Sequence, residues 1–160
     1  MWKKKMEYLS KEGYDKIAAE LYQLEHVEFP RLTEALAEAR AQGDLSENFE
    51  YHANKRAHGK MISRMNFLQK VLKFSKVLDT KNMSGEKVTL LSKVTFADVE
   101  TGQRMTYTIV SRHEMNVREG KISKDSPIGM ALMGRTVGET VEVVTPAKTM
   151  RVRIEEIALE

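Results

Sequence analysis

Two long stretches of the chain carry apolar residues at intervals of three and four, and this spacing constrains the fold most strongly. The first stretch begins at Ser10, a good N-cap residue, and the second runs through Leu72. Their apolar positions are Tyr14, Ile17, Leu21, Leu24, Leu32, Leu36 and Ala39, and then Ala57, Met61, Met65, Leu68 and Leu72. Two such stripes joined by a short turn are expected to pack as an antiparallel helical hairpin of coiled-coil type.

Pro30 lies inside the first helical pattern and lacks the amide hydrogen for an intrahelical bond. We therefore predict a kink or local break near Glu28 and Phe29, after which the periodicity resumes at Leu32. An arm of about 30 residues, at about 1.5 Å per residue, is about 45 Å long, so most of the hairpin is expected to project into solvent.

The charges are distributed unevenly between the two arms. From Ser10 to Gln42 there are seven acidic and four basic residues, whereas from Tyr51 to Leu78 there are seven basic residues and no acidic one. The formal net charge of +3 is too small to indicate nucleic-acid binding by itself.

The chain has no cysteine, which excludes a disulfide framework and a thiol nucleophile. No apolar run approaches the roughly 20 residues of a membrane span, so we expect a soluble, cytoplasmic protein without a membrane partner.

After Leu78 the pattern becomes typical of β-strands. The predicted strands are residues 87–96, 105–111, 139–145 and 150–157. A short helix is predicted between them, because Ser126 can cap it, Pro127 suits its first position and Gly134 can end it. The predicted fold class is therefore α+β, with a helical hairpin over residues 1–79 and a small domain with an antiparallel sheet over residues 80–160.

The predicted tip of the hairpin, residues 43–51, contains three carboxylates. Asp44 followed three residues later by Glu47 resembles a capping box, and on spacing alone capping is the better interpretation. The other interpretation is that both carboxylates are hard oxygen ligands for magnesium. Because magnesium usually takes only one or two protein carboxylates, this tip could complete a site that belongs to another macromolecule.

Two segments of the chain resemble the two signatures of the bacterial Gre transcript-cleavage factors, GreA and GreB. The first segment is residues 38–53 and the second is residues 126–135, followed by similar residues at 137–139 and 145–146. Residues 8–14 also resemble the usual start of that family, so the resemblance extends over nearly the whole chain. It implies a coiled-coil hairpin followed by a domain similar to the FK506-binding prolyl isomerases.

The resemblance also implies a function. Gre factors bind bacterial RNA polymerase, insert the coiled coil through its secondary channel and stimulate the polymerase to cut its own backtracked RNA near the 3′ end. By position, Asp44 would be the more direct ligand of a magnesium ion shared with the polymerase, and Glu47 would act on it through water. The isolated protein would hold no cofactor, would itself be no enzyme and is expected to be a monomer.

The same resemblance suggests roles for residues around the tip and in the second domain. Residues expected to support the tip are Leu45, Ser46, Asn48, Glu50 and Tyr51. Residues expected to face the 3′ segment of the RNA are Arg40, Lys55, Arg56 and Lys60. Residues expected to dock on the rim of the polymerase channel are Ser126, Pro127 and Arg135.

The sequence departs from the family pattern at Phe49, where alanine is common, and at residues 146–148, where Pro-Ala-Lys replaces a frequent Pro-Gly-Gly. The tip is more similar to GreA, and residues 54–56 are more similar to GreB; GreA is preferred. Three alternatives stay open: a channel-binding inhibitor of the polymerase, a prolyl isomerase and a nonspecific nucleic-acid binder. An isomerase needs an aromatic-lined pocket, for which the second domain offers only Phe96 and Tyr107.

Overall fold

The helical part of the protein is a two-armed hairpin. The computed structural model describes residues 6–43, 48–81 and 83–159. The first arm consists of α1 (Lys11–Gln23), a π-helical turn (Leu24–Glu28) and α2 (Phe29–Ala41), and the second arm is α3 (Phe49–Lys73). The predicted pair of helices is thus confirmed.

The apolar stripes meet between the arms. Leu24 of the first arm and Met65 and Leu68 of α3 form a buried cluster. The partly buried residues packed against this cluster are Ile17, Leu21, Phe29 and Met61. Closer to the tip the predicted seam is shifted by one position: Ala57 is exposed, whereas His58 is half-buried and its ring lies 4.8 Å from that of Phe29.

Polar contacts on the hairpin surface join the same two arms. Arg64 makes a bidentate ion pair with Glu20. Its Nε lies 2.9 Å from Oε1 of the carboxylate, and its Nη2 lies 3.1 Å from Oε2. Gln69 donates a 2.8 Å hydrogen bond to Glu25. Each contact is exposed and therefore contributes little free energy to the pairing of the arms.

The break predicted at Pro30 takes the form of the π-helical turn. The amide of Phe29 donates to the carbonyl of Leu24, five residues earlier, instead of four. The wider turn accommodates Pro30, which has no amide to donate. Because the chain stays helical on both sides, the apolar stripe continues from Leu24 into α2.

The second part of the protein is built on a five-stranded sheet with strand order β5-β4-β3-β7-β6. Its strands are β3 (Ser92–Asp98), β4 (Arg104–Val110), β5 (Lys121–Ser123), β6 (Thr140–Val144) and β7 (Thr149–Leu159). All neighbouring pairs are antiparallel except β4 and β5, which are parallel. The short helix α4 (Pro127–Leu132) covers the core, whose buried members are Val88, Val94, Phe96, Ile109, Leu132, Val141, Val143, Val152 and Ile154. The predicted α+β class is confirmed, with one parallel strand added.

Two details of this sheet differ from the sequence-based prediction. Residues 87–91 were expected to begin a strand, but Lys87 forms only an isolated bridge with Thr136. Leu91 has a φ of +72°, a conformation that a leucine rarely adopts and that interrupts extended pairing. β5 was not predicted, because three residues are too few to show a period.

Residues 7–13 belong with the second part of the protein. β1 (Glu7–Leu9) pairs with β2 (Ser75–Val77), and residues 7–13 form one compact unit with residues 76–159, apart from residues 14–75. The carboxylate of Glu114 accepts hydrogen bonds from both the amide and the hydroxyl of Ser10, the former at 2.9 Å. Glu7 is paired with Arg112 at 3.1 Å and with His113 at 2.9 Å.

Candidate functional site

The candidate site lies where α2 and α3 are joined. Asp44, Leu45, Ser46 and Glu47 are outside the described residues, so the roles expected of these four stay predictions. The structure does describe both ends of the segment that contains them. Before it, Gly43 has a φ of +127°, which favours glycine at that position.

Asn48 fixes the other end of this segment. Its side-chain oxygen accepts a 3.0 Å hydrogen bond from the amide of Tyr51, which makes Asn48 the N-cap of α3. Its side-chain nitrogen donates a 2.7 Å hydrogen bond to the carbonyl of Ala39 in α2. One amide side chain therefore both starts the second helix and ties it to the first. The N-cap of α3 is thus Asn48, and the two interpretations of Asp44 and Glu47 stay predictions.

Arg40 and Tyr51 form a second contact between the two helices next to the tip. Nη2 of Arg40 donates to the Tyr51 hydroxyl at 3.4 Å, and the guanidinium carbon lies 5.6 Å from the centre of the Tyr51 ring. This hydrogen bond holds the pKa of the Tyr51 hydroxyl below its usual value, an effect that burial opposes and the charges of Arg40 and Lys55 reinforce. The Tyr51 ring is buried, so the tyrosine expected to support the tip packs between the arms.

The other residues predicted to face RNA lie on the exposed surface of α3. Lys55, Arg56 and Lys60 are all exposed, as is the tip-support candidate Glu50. Within the part of the chain that the structure describes, neither Arg56 nor Lys60 has an ion pair. Both cations are therefore available to an anionic partner, whereas the charge of Arg64 is engaged by Glu20.

The predicted docking segment is a tightly bonded turn. The Ser126 hydroxyl accepts from the amide of Gly129 at 3.1 Å and donates to the carbonyl of Ser123 at 2.6 Å. Pro127 takes the first helical position, as predicted. The carbonyl of Arg135 accepts from the amide of Val88 at 2.8 Å, so the backbone of this residue is structural while its side chain is exposed.

Glu139 closes the loop that follows this segment. Its carboxylate accepts a 2.6 Å hydrogen bond from the amide of Thr136, and Nη1 of Arg135 lies 3.9 Å from it. The amide of Thr136 holds the pKa of the Glu139 carboxyl below its usual value; burial opposes this, and the Thr136 hydroxyl, Arg135 and Lys87 add to it. Arg135 thus lies near a carboxylate that stays ionised around neutral pH.

The two aromatic residues of the second domain, Phe96 and Tyr107, lie close to each other. Phe96 is fully buried in the core, with its ring centre 5.9 Å from that of Tyr107. A cavity of about 470 Å³ lies elsewhere in this domain and has no aromatic side chain in its wall. Neither the buried Phe96 nor the wall of this cavity supplies the exposed aromatic surface that the prolyl isomerase alternative needs.

Two further observations apply to residues 6–43, 48–81 and 83–159, which are the part of the chain that the structure describes. Within these ranges, no three histidine or carboxylate side chains come together as a metal site would require. No helix there is long and apolar enough to cross a membrane. A metal ion bound at the tip would need ligands from outside this part of the chain.

The chain consists of a helical hairpin, whose connecting segment contains Asp44 and Glu47, followed by an α+β domain. Residues 7–77 match the family model described as "Transcription elongation factor, N-terminal", and residues 83–159 match "Transcription elongation factor, GreA/GreB, C-term". The chain belongs to the GreA/GreB family of transcription elongation factors.

Relatives over the full length support this assignment. Transcription elongation factor GreA of Christiangramia forsetii is 39% identical over 153 residues, which cover 96% of this chain and 97% of that one. The GreA protein of Thermodesulfovibrio yellowstonii is 40% identical over 152 residues, 95% of this chain and 96% of that one. Among solved structures, GreA factor homolog 1 of Thermus thermophilus is 28% identical, with coverage of 97% and 99% and a TM-score of 0.45.

Asn48→Ala is expected to loosen the start of α3. Loss of an N-cap costs about 1 kcal/mol, so the Tyr51 amide should exchange its hydrogen about fivefold faster. Asn48→Asp keeps the cap but removes the donor to Ala39, and therefore separates the two contacts of this side chain. Hydrogen exchange followed by NMR measures both effects. Unchanged exchange of the Tyr51 amide in Asn48→Ala would contradict the capping role.

Proposed function

We propose that this protein is a transcription elongation factor that binds bacterial RNA polymerase and stimulates the polymerase to cleave backtracked RNA. The hairpin enters the secondary channel, and the tip carboxylates reach the active centre of the polymerase. The rescue of arrested complexes follows, because cleavage creates a new RNA 3′ end at the active centre. Family membership supports the general role, and the residues at the junction of α2 and α3 support the mechanism.

The observation that carries this proposal is the location of the acidic segment. Asp44 and Glu47 lie in the short connection between Gly43 and Asn48, where the two arms of the hairpin meet. α3 alone has 25 residues and is about 37 Å long, which separates this connection from the other end of the hairpin. Carboxylates at the end of so long a pair of helices can be delivered into a cavity that the second domain could not enter.

The donor set fits magnesium in a shared site. Asp44 would supply a carboxylate oxygen to the ion, and Glu47 would orient the attacking water or reach the ion through it. Because two carboxylates are too few for a site in the isolated protein, the remaining ligands would come from the polymerase and the RNA phosphate. A magnesium ion held there would supply activation of water and stabilisation of negative charge on the phosphate oxygens.

The remaining residues position the factor. Leu45 and Ser46 shape the turn, while Arg40 and Lys55 neutralise RNA phosphates near the tip together with Arg56 and Lys60. Such contacts are independent of sequence and weaken as salt increases.

Docking on the rim of the polymerase channel is assigned to the second domain. The bonded turn at Ser126 and Pro127 presents a fixed backbone shape, and Arg135 adds an exposed positive charge near Glu139. This arrangement suits recognition of a protein surface, because little conformational entropy is lost when a rigid segment binds. We propose that the factor acts as a monomer in the cytoplasm.

A cleavage assay tests the proposed function. The protein is added to a stalled, backtracked elongation complex of the cognate bacterial polymerase, and the RNA is labelled at its 3′ end. Release of short 3′ fragments at a rate well above that of polymerase alone is expected. If the protein binds the complex but releases no fragments, it is an inhibitor of the channel and the proposal is wrong.

A further inference from the structure

Phe49, the first residue of α3, leaves a large aromatic ring in water. Its exposed fraction is 87%, the highest of any large hydrophobic residue that the structure describes. The ring has no aromatic or cation contact among these residues, unlike that of Tyr51 two positions later. Since an exposed ring forgoes the stabilisation that burial would give, Phe49 contributes nothing evident to the packing of the hairpin.

The backbone that carries this ring is nevertheless well anchored. Asn48 caps α3 immediately before it, and the Asn48 bond to Ala39 holds that end of the helix against α2. The backbone of Phe49 is therefore fixed on both sides, at the edge of the segment that contains the acidic residues. A planar partner can therefore stack on this side chain without the cost of ordering the backbone that carries it.

The neighbours of Phe49 on the helix surface indicate the charge of that partner. Residues 49, 53, 56 and 60 follow one another at intervals of four, three and four, so they share one face of α3, and all of them are exposed. Arg56 and Lys60 on this face are without an ion pair in the described part of the chain. From Tyr51 to Leu78 no acidic residue offsets them. An exposed aromatic ring followed by unpaired cations is the combination with which proteins hold single-stranded nucleic acid.

We propose that Phe49 is a stacking platform for an unpaired base of the backtracked RNA, whose phosphates lie along Arg56 and Lys60. This inference rests on the proposed function for the identity of the RNA and adds a base contact to it. The axial rise from Phe49 to Arg56 is about 10 Å, so one extended strand can contact both residues. Every base can stack on an aromatic ring, but a purine offers a larger stacking surface than a pyrimidine does.

Phe49→Ala is expected to slow cleavage of a backtracked purine RNA about tenfold at limiting factor, which is within the range known for loss of a base-aromatic stack. Phe49→Trp should cleave at least as fast as the unsubstituted protein. Because the ring is exposed and alanine favours helices, the alanine variant should fold normally. Unchanged exchange of the Tyr51 amide checks this. Equal cleavage by the alanine variant and the unsubstituted protein would overturn the proposal.

An abasic RNA distinguishes a base contact from a contact with polymerase. When the backtracked nucleotides lack their bases, the unsubstituted protein and Phe49→Ala should cleave at the same rate. A tenfold difference that persists on abasic RNA would mean that Phe49 contacts the polymerase instead, and the proposal would be wrong.

A fluorescent base supplies a readout that does not depend on cleavage. With 2-aminopurine in the backtracked RNA, the unsubstituted protein should quench the emission and Phe49→Ala should not. If quenching occurs but no RNA is cut, the stacking site stands and the proposed cleavage function fails. If cleavage occurs with no difference in quenching, the function stands and the stacking site fails.

Discussion

Asp44→Asn is expected to lower the rate of RNA cleavage at saturating factor by about 100-fold, and Glu47→Gln is expected to lower it by about tenfold to 100-fold. Changes to groups that only orient metal ligands cost about 10- to 100-fold, so a direct ligand belongs at the upper end of that range. Both substitutions keep the size of the side chain and remove its negative charge. Single-turnover cleavage of a backtracked complex, with excess factor, measures the effect on the chemical step.

The matched control for these variants is Glu50→Gln. Glu50 is an exposed carboxylate in the first turn of α3 and is not assigned a role at the magnesium ion. Its substitution removes one negative charge near the tip and should change the rate less than threefold. Competition for polymerase should show equal binding by all variants. If Asp44→Asn and Glu47→Gln bind and cut as well as the unsubstituted protein, the shared magnesium site is excluded; an equal loss in Glu50→Gln would indicate a general charge effect.

Gly129→Ala destabilises the second domain by about 3 kcal/mol, the upper end of the usual cost of overpacking. A Cβ atom at this position would lie 2.2 Å from the carbonyl oxygen of Ser123 and 3.0 Å from Cα of Lys124. Both are backbone atoms and cannot move aside as a flexible side chain would. The same carbonyl accepts the hydroxyl of Ser126, so its displacement also disturbs the cap of α4.

Hydrogen exchange of amides in the central strands, such as that of Ile154, reports the stability of this domain without requiring a two-state transition of the whole chain. Met130→Ala is the control, since Met130 is the next residue of α4 and is exposed. That variant should exchange nearly as the unsubstituted protein does. Protection in Gly129→Ala equal to or above that of the unsubstituted protein would contradict the prediction. Helix propensity alone gives the opposite sign, because alanine is favoured over glycine within helices.

The helical hairpin could be predicted because its pattern is long and repetitive. Twelve apolar positions over two arms indicate one buried face, and the buried cluster of Leu24, Met65 and Leu68 lies on it. The irregularity before Pro30 could be predicted for a local reason, the missing amide. The π-helical form of this irregularity could not be predicted, because it depends on how α1 and α2 both keep their apolar side toward α3.

The sheet was less predictable because its turns depend on neighbours distant in sequence. Leu91 leaves the extended conformation and donates its amide to the carbonyl of Ile109, a bond between residues 18 apart. β5 becomes a strand only through its parallel pairing with β4. Neither feature has a local pattern, so the predicted strand at residues 87–91 was wrong and β5 was missed.

The sequence by itself determined the α+β class, the family signatures and the acidic residues of the tip, because each depends on residue type and spacing along the chain. Asp44 and Glu47 keep the roles predicted for them as proposals. Only the tertiary structure decided that Asn48 both caps α3 and binds Ala39, that Tyr51 is buried beside Arg40, and that Phe49 is left exposed. These outcomes depend on how α2 and α3 approach each other, and the burial of a side chain is a property of that packing.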